Sequence, residues 1–252
     1  MNNRQRRQED VEMETSNQDR ISMMVSLAVE EQMQEYNNSA GELYRWHCPE
    51  LDSKNFWKLL SSTAQAIMAK RGVYHHFIVD DNNREVIRQM WLYVIGSDQC
   101  KWNIHKGLYL GGKVGCGKTV LMQSFCHILH LVSGLNIEMI PADQLYKRII
   151  KDGINSLTRR PLLIDELGRE QLEVNEFGNK LRPINELMAL RYETGARTFF
   201  TSNFSIATLS KGYNEKGELI GYGKYIGERI QEITNIAVLP GESRREKWEE
   251  QS

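Results

Sequence analysis

One stretch, residues 106–119, constrains this chain more than any other. An apolar run leads into a glycine-rich loop in which Gly112, Gly117, Lys118 and Thr119 match the pattern G-x-x-x-x-G-K-[ST]. Glycines take backbone angles that other residues resist, so successive N–H groups can turn inward and form an anion-binding nest. The pattern predicts a strand, a phosphate-binding P-loop and the start of a helix. The alternative is an ordinary glycine turn before a helix.

A P-loop at this place has chemical consequences for the residues around it. Lys118 would reach the β- and γ-phosphates of a nucleotide, and the hydroxyl of Thr119 would bind Mg²⁺. The positive end of a helix that begins near Lys118 would add to the attraction. The expected cofactors are ATP and Mg²⁺, and the predicted binding residues are Gly112, Lys113, Val114, Gly115, Cys116, Gly117, Lys118, Thr119 and Val120.

An acidic pair at the end of an apolar run is the second chemical signal. Residues 162–164 are wholly apolar, and Asp165 and Glu166 follow at once. If the run is a strand, both acids lie at the carboxyl edge of the sheet beside the P-loop. Asp165 would then bind Mg²⁺, directly or through water, and Glu166 would be the general base that polarises the attacking water. The alternative is a chance pair of acids after a strand.

Short apolar runs alternate with amphipathic segments through most of the chain. Such alternation predicts an α/β fold in which a parallel sheet is covered by helices on both faces. Residues 168–180 are predicted to be a polar loop, and Ser53 is predicted to cap the first helix of this region. The predicted strands are 108–110, 136–140, 162–164, 198–201 and 236–239, and the predicted helices are 53–71, 83–95, 118–132, 142–151, 181–193 and 222–233.

The composition agrees with a globular protein that carries an appendage. The chain has 252 residues, 40% of them apolar, and a net charge of -1, which argues against coating nucleic acid by bulk charge. Its four cysteines are scattered, which suits a reducing compartment. Neither an apolar run of about 20 residues nor the apolar centre of a signal peptide is evident. We therefore expect a soluble, cytoplasmic protein without membrane contact.

The amino-terminal part divides differently from the rest. Residues 1–40 are predicted to be a partly disordered tail that contains an amphipathic helix over 21–36, and residues 41–76 a small helical region before the main domain of 77–252. The helix of 21–36 carries methionine, valine and isoleucine at helical spacing. That pattern suits a helix docked on its own domain and a helix that binds a partner equally well.

Two further polar residues are candidates for catalysis. Asn203 follows the strand of 198–201, where its amide could hydrogen-bond the γ-phosphate or the attacking water, or could merely cap a turn. Arg229 lies on the helix of 222–233, where it is either a solvated charge or an arginine that reaches the γ-phosphate of a neighbouring subunit. Local spacing does not choose between these roles.

Taken in order, the motifs resemble a known family, the DnaC/IstB group of AAA+ ATPases. The resemblance covers roughly residues 77–247 and rests on an ordered set of motifs. The set comprises residues 106–119, Leu163-Ile-Asp-Glu-Leu-Gly, Arg191-Tyr-Glu, Thr201-Ser-Asn-Phe-Ser, the helix with Arg229, and Leu239-Pro-Gly-Glu-Ser-Arg-Arg. It implies a five-stranded parallel sheet, Asn203 as sensor 1, and Arg229 as an arginine finger that acts across a subunit interface. A full helical lid looks reduced or absent, which leaves Arg244 and Arg245 without an assigned role.

The resemblance also implies a function. It predicts an ATP-hydrolysing helicase loader in DNA replication, with Glu166, Asn203, Arg229 and Lys118 as its catalytic residues. Its expected partners are a replicative DNA helicase, single-stranded DNA and other copies of the chain, with the ATP site at the subunit interface. The alternatives are an ATPase helper of transposition that acts with a transposase, a nucleotide-gated adaptor with negligible turnover and, less favoured, a small-molecule kinase.

Contacts to DNA phosphates would need basic side chains that line a channel. A group of basic residues is more often only a solvated face. The candidates are Lys147, Arg148, Lys151, Arg159, Arg160, Arg169, Lys180 and Arg182. A zinc site is not predicted, because the spacing of His47, Cys48, Cys100 and His105 does not match the usual ligand patterns.

Overall fold

A computed structural model describes residues 20–34, 46–74, 76–176 and 178–244. The chain divides into two compact units, Met1–Arg45 and Trp46–Ser252. In the first unit, residues 20–34 form helix α1, and every residue of that helix is exposed. Residues 1–19 and 35–40 of the predicted tail, residues 41–45 of the predicted helical region, and Arg245 lie outside the described residues. Among the helices described, none has both the length and the apolar character needed to cross a membrane.

The second unit alternates strands and helices, as the sequence predicts. A short 3₁₀ helix, Ile154–Leu157, precedes the third strand. The α-helices are α2 (Ser53–Ala69), α3 (Arg84–Val94), α4 (Lys118–Ser133), α5 (Ala142–Asp152), α6 (Pro183–Glu193), α7 (Ile206–Leu209) and α8 (Lys224–Ile233). The strands are β1 (Gly107–Gly112), β2 (Glu138–Pro141), β3 (Leu162–Leu167), β4 (Val174–Glu176), β5 (Asn179–Leu181), β6 (Thr198–Ser202) and β7 (Thr234–Leu239).

The predicted five-stranded parallel sheet is confirmed. Its strand order is β2-β3-β6-β1-β7, and all of its neighbouring strands run parallel. Tyr109 in β1 lies opposite Phe200 in β6 on one side and Ile236 in β7 on the other. Because the strands are parallel, their carboxyl ends meet at one edge of the sheet, which is where open α/β sheets bind their ligands.

Each face of the sheet carries its own apolar core. Successive strand residues point to opposite faces, so Phe199 packs in the core under α2, α3 and α4, while Phe200 packs in the core under α5, α6 and α8. Both phenylalanines are fully buried, and burying such a side chain stabilises the fold by about 1.5–3 kcal/mol. The strands are apolar throughout because both faces are covered.

Two local predictions are wrong. The side chain of Asp52, not that of Ser53, caps α2 by accepting a hydrogen bond from the backbone N–H of Asn55 at 2.9 Å. The segment 168–180 is not simply a loop, because β4 and β5 pair in it as an antiparallel hairpin. A pair of three-residue strands is too short to produce a readable alternation of polar and apolar residues.

Candidate nucleotide-binding site

The glycine loop lies between β1 and α4, where the sequence places it. Gly117 caps α4 with φ of 102°, and Gly115 has φ of 80°, so both occupy the left-handed region that favours glycine. Helix α4 begins at Lys118. The loop therefore presents backbone N–H groups together with the positive end of a 16-residue helix.

Lys118 is folded back over this loop. Its ammonium donates hydrogen bonds to the carbonyl oxygens of Gly112 at 2.8 Å and Lys113 at 2.6 Å. It also donates to Oδ1 of Asn203 at 2.8 Å. Only 6% of the lysine is exposed, and burial lowers the pKa of its ammonium below the ordinary value. These acceptors are neutral oxygens, so an anionic phosphate oxygen is a stronger partner that could replace them.

Asp165 lies near the carboxyl end of β3, beside the first turn of α4. Its Oδ1 accepts a hydrogen bond from the hydroxyl of Thr119 at 3.0 Å and another from that of Thr201 at 2.5 Å. Thr201, for which no role was predicted, also accepts a hydrogen bond on its hydroxyl oxygen from the backbone N–H of Glu166 at 2.8 Å. A hydroxyl and a carboxylate in contact are hard oxygen ligands of the kind that Mg²⁺ prefers, so Thr119 and Asp165 fit the predicted metal site.

Glu166 has an unusual backbone. Its φ is 59°, and among the described residues it is the one non-glycine with positive φ. The pairing of β3 with β6 shifts register between Ile164 and Leu167, so a bulge lies at the acidic pair. Strained residues of this kind concentrate at functional sites. The Glu166 side chain is 37% exposed, and its carboxylate is ion-paired with Arg169 three residues later.

The structure brings most of the predicted catalytic residues together, and Arg229 is the exception. Contacts join Lys118, Thr119, Asp165 and Asn203, and Glu166 adjoins Asp165. Arg229 instead stacks on Tyr225 of its own helix and on Tyr192 of α6, with its guanidinium carbon 4.0 and 4.8 Å from the ring centres. Because α6 ends at Glu193 and β6 begins at Thr198, Tyr192 lies towards the amino edge of the sheet, away from the P-loop.

The candidate DNA contacts fall into two groups. The first group is engaged in ion pairs. Arg148 pairs with Glu138 and Asp152, and Arg169 pairs with Glu166. Glu173 pairs with both Lys180 and Arg182. The second group is exposed, and it comprises Lys147 and Lys151 on α5 together with Arg159 and Arg160 before β3. Within the described ranges no group of three or more histidine, cysteine or acidic residues is arranged to hold a metal ion.

Sequence order and sheet topology together define the fold class. The P-loop follows an inner strand, and the acidic pair lies near the carboxyl end of β3. Strand β6 lies between these two strands and ends next to Asn203. This arrangement is consistent with an AAA+ core. The solved structures it resembles include the DnaC helicase loader, with a TM-score of 0.50 and 16% identity over 75% of this chain and 100% of that one.

The crystal structure of DnaI is similar as well. It has a TM-score of 0.51 and 22% identity, over 75% of this chain and 93% of the other. At identities this low, the structural similarity shows a shared fold alone. Neither a protein-family model nor a curated protein matches the chain.

Proposed function

We propose that this chain is an ATP-hydrolysing AAA+ protein that loads a replicative helicase, as the similar DnaC protein is named for doing. The observation that carries the proposal is the convergence of Lys118, Asn203 and the Thr119–Asp165 pair at one edge of the sheet. A phosphate-binding loop alone serves many functions. The amide that contacts the P-loop lysine adds a group suited to sensing or polarising a γ-phosphate.

Nucleotide binding in this proposal begins with an exchange of partners at Lys118. Its ammonium leaves the Gly112 and Lys113 carbonyls for the β- and γ-phosphate oxygens, while Asn203 stays close enough to hydrogen-bond the same group. Thr119 and Asp165 would hold Mg²⁺, which neutralises charge on the phosphates when it is bound.

Hydrolysis requires Glu166 to accept a proton from the attacking water. Its carboxylate is ion-paired with Arg169, so the acid must be released before it can orient that water. The hydroxyl of Thr201 donates to the Asp165 carboxylate and accepts from the backbone N–H of Glu166, so one side chain contacts both acidic residues. Release of Glu166 is therefore a step at which assembly could control turnover.

Arg229 supports a site shared between subunits. In a single chain its guanidinium stacks on tyrosines, and its buried Nη1 has no hydrogen-bond partner among the described residues. An arginine that supplies transition-state charge from a neighbouring subunit can accelerate phosphoryl transfer by about 10³–10⁵-fold. Turnover in this proposal depends on oligomerisation, with single-stranded DNA along the exposed lysines and arginines as the stimulus.

The test is an ATPase assay on four forms of the full chain, with and without single-stranded DNA. We expect Glu166→Gln to bind ATP and assemble but to lose turnover about 10²–10⁴-fold. Arg229→Ala should bind ATP and be inactive alone, yet regain activity when mixed with Lys118→Ala subunits. Wild-type turnover from Glu166→Gln would contradict the general base, and a lack of rescue at every mixing ratio would contradict the shared site.

Partner identity separates the loader from its rivals. Retrieval of a replicative helicase by the ATP-bound Glu166→Gln protein would support loading. Retrieval of a transposase alone would instead favour a transposition helper. Binding of ATP without phosphate release under any condition would favour a nucleotide-gated adaptor.

A further inference from the structure

The segment that follows β7 returns across the phosphate loop. The backbone N–H of Arg244 donates to the carbonyl of Gly115 at 3.0 Å, and its Nε donates to the carbonyl of Cys116 at 3.1 Å. Its Nη2 donates to both carboxylate oxygens of Asp80, at 3.0 and 2.9 Å. One arginine therefore ties the P-loop to a segment that lies before α3.

These bonds fix the orientation of the loop's peptide planes. In a trans peptide the C=O and the following N–H point in opposite directions, and no described peptide bond is cis. Holding the Cys116 carbonyl towards Arg244 therefore turns the N–H of Gly117 to the opposite side of the loop. An anion nest needs N–H groups that are already turned towards the phosphate.

The close fit of this segment on the loop shows that the contact is specific. A Cβ atom on Gly115 would lie 2.3 Å from Oγ of Ser243, and its φ of 80° already favours glycine. Lys113 is ion-paired with Glu242 on the same segment. The residues before Arg244 thus follow the outer side of the loop closely.

Asp80 holds the arginine in place for this contact. The side chains of Arg244 and Asp80 are 29% and 37% exposed, so neither group is fully removed from water. An ion pair at that exposure adds little stability by itself, but two short contacts to one nitrogen restrict the guanidinium to one orientation. With that nitrogen engaged by a carboxylate, Nε remains directed at Cys116.

We infer that Arg244 is a positioning residue, which prepares the phosphate loop for nucleotide by holding the Gly115 and Cys116 carbonyls outward. The inference rests on the proposed ATP binding and deepens it. The loop's N–H groups contact the α- and β-phosphates that ATP and ADP share. Loss of Arg244 should therefore weaken the binding of ATP and of ADP by the same factor. Loss of an arginine that contacts the γ-phosphate would weaken the binding of ATP alone.

The experiment measures the Kd of ATP and of ADP for the full chain by calorimetry. We expect Arg244→Ala to raise both Kd values about fivefold to tenfold, the size of one lost ordinary hydrogen bond. Arg244→Lys should recover only part of this loss, because one ammonium cannot reproduce the fork. Arg84→Ala is the matched control. Arg84 is an exposed arginine of the same region whose Nε lies 3.8 Å from Oδ1 of Asp81, and its replacement should leave both Kd values unchanged.

Several outcomes would overturn the inference. A loss confined to ATP would make Arg244 a γ-phosphate contact, and a lowered melting temperature with unchanged Kd values would make its role purely structural. Equal losses in the Arg84→Ala control would also count against it. Failure of the proposed function is distinguishable, because the wild-type chain would then bind neither nucleotide.

Discussion

Two buried cations, Lys118 and Arg191, have similar surroundings but opposite roles. Lys118 is 6% exposed and Arg191 is fully buried, and in the part of the chain that the structure describes neither is ion-paired with a carboxylate. Oxygen atoms of carbonyl, amide and hydroxyl groups satisfy both. Burial lowers the pKa of each, that of Arg191 to about 9.

The difference lies in where the acceptors are. Arg191 donates to the carbonyls of Arg160 at 3.0 Å and Arg197 at 2.8 Å, to the Thr198 hydroxyl at 2.9 Å, and to the carbonyl of Leu157. These groups lie just before β3 and at the start of β6, at the amino edge of the sheet, where Arg191 joins the two strand beginnings to α6. The acceptors of Lys118 line a loop open to ligand. Burial of a cation does not reveal function, whereas acceptors that a ligand can replace do.

The largest expected effect is at Arg191. Arg191→Met keeps much of the apolar volume but leaves several buried oxygens without donors, at about 1–3 kcal/mol each. We expect the free energy of unfolding to fall by about 3–5 kcal/mol in urea titrations. Arg159→Met, an exposed neighbour, should change it by less than about 0.5 kcal/mol. If both variants were equally stable, Arg191 would not be the structural cation of the pair.

An intermediate effect, and of a different kind, is expected at Lys118. Lys118→Ala removes the ammonium that would bind the phosphates, so the Kd of ATP should rise about 10- to 100-fold. The free energy of unfolding should change by less than about 1 kcal/mol, because the charge is costly to bury. Calorimetry and urea titration on the same sample measure the two quantities. If Lys118→Ala lowered the free energy of unfolding as much as Arg191→Met does, the proposed difference between the two cations would be wrong.

The smallest effect is expected at Asn203, whose Oδ1 accepts a hydrogen bond from Lys118 at 2.8 Å. Asn203→Ala removes one neutral acceptor, so the Kd of ATP should change by no more than about fivefold. The turnover number should fall more than the affinity, because the proposed contact with the γ-phosphate strengthens in the transition state. Steady-state kinetics separates the two. A large rise in Kd with unchanged turnover would assign Asn203 to ground-state binding.

Much of this fold was predictable because its signals are local. The apolar strands, the helices between them and the P-loop could be read within windows of a few residues. The acidic pair could be read in the same way, although it lies inside β3 and not after the strand as predicted. The position of Asn203 was predictable for the same reason, since it follows a strand directly. Helix ends were less precise, as the cap at Asp52 shows, because neighbouring polar residues compete for the same hydrogen bond.

What sequence reasoning missed depends on distant contacts. Arg191 lies in the last turn of α6, where a basic residue is expected merely to complement the helix dipole, and nothing local shows that it is buried. Arg169 was considered for DNA, but its partner is Glu166. Arg244 contacts the loop residue Cys116, 128 positions earlier, so no window could connect them. These roles appear only when the sheet brings the segments together.

The pairing of β1 with β7 has a consequence for biosynthesis. Gly107, which begins the P-loop strand, contacts Asn235, which lies 128 residues later. At about 5–20 residues per second, a ribosome takes roughly 6 to 26 s to make the intervening chain. During that interval β1 lacks its outer neighbour, and the phosphate loop lacks the segment that spans it. Nucleotide capture on the ribosome would thus be a late event, which reports that nearly the whole domain has been synthesised.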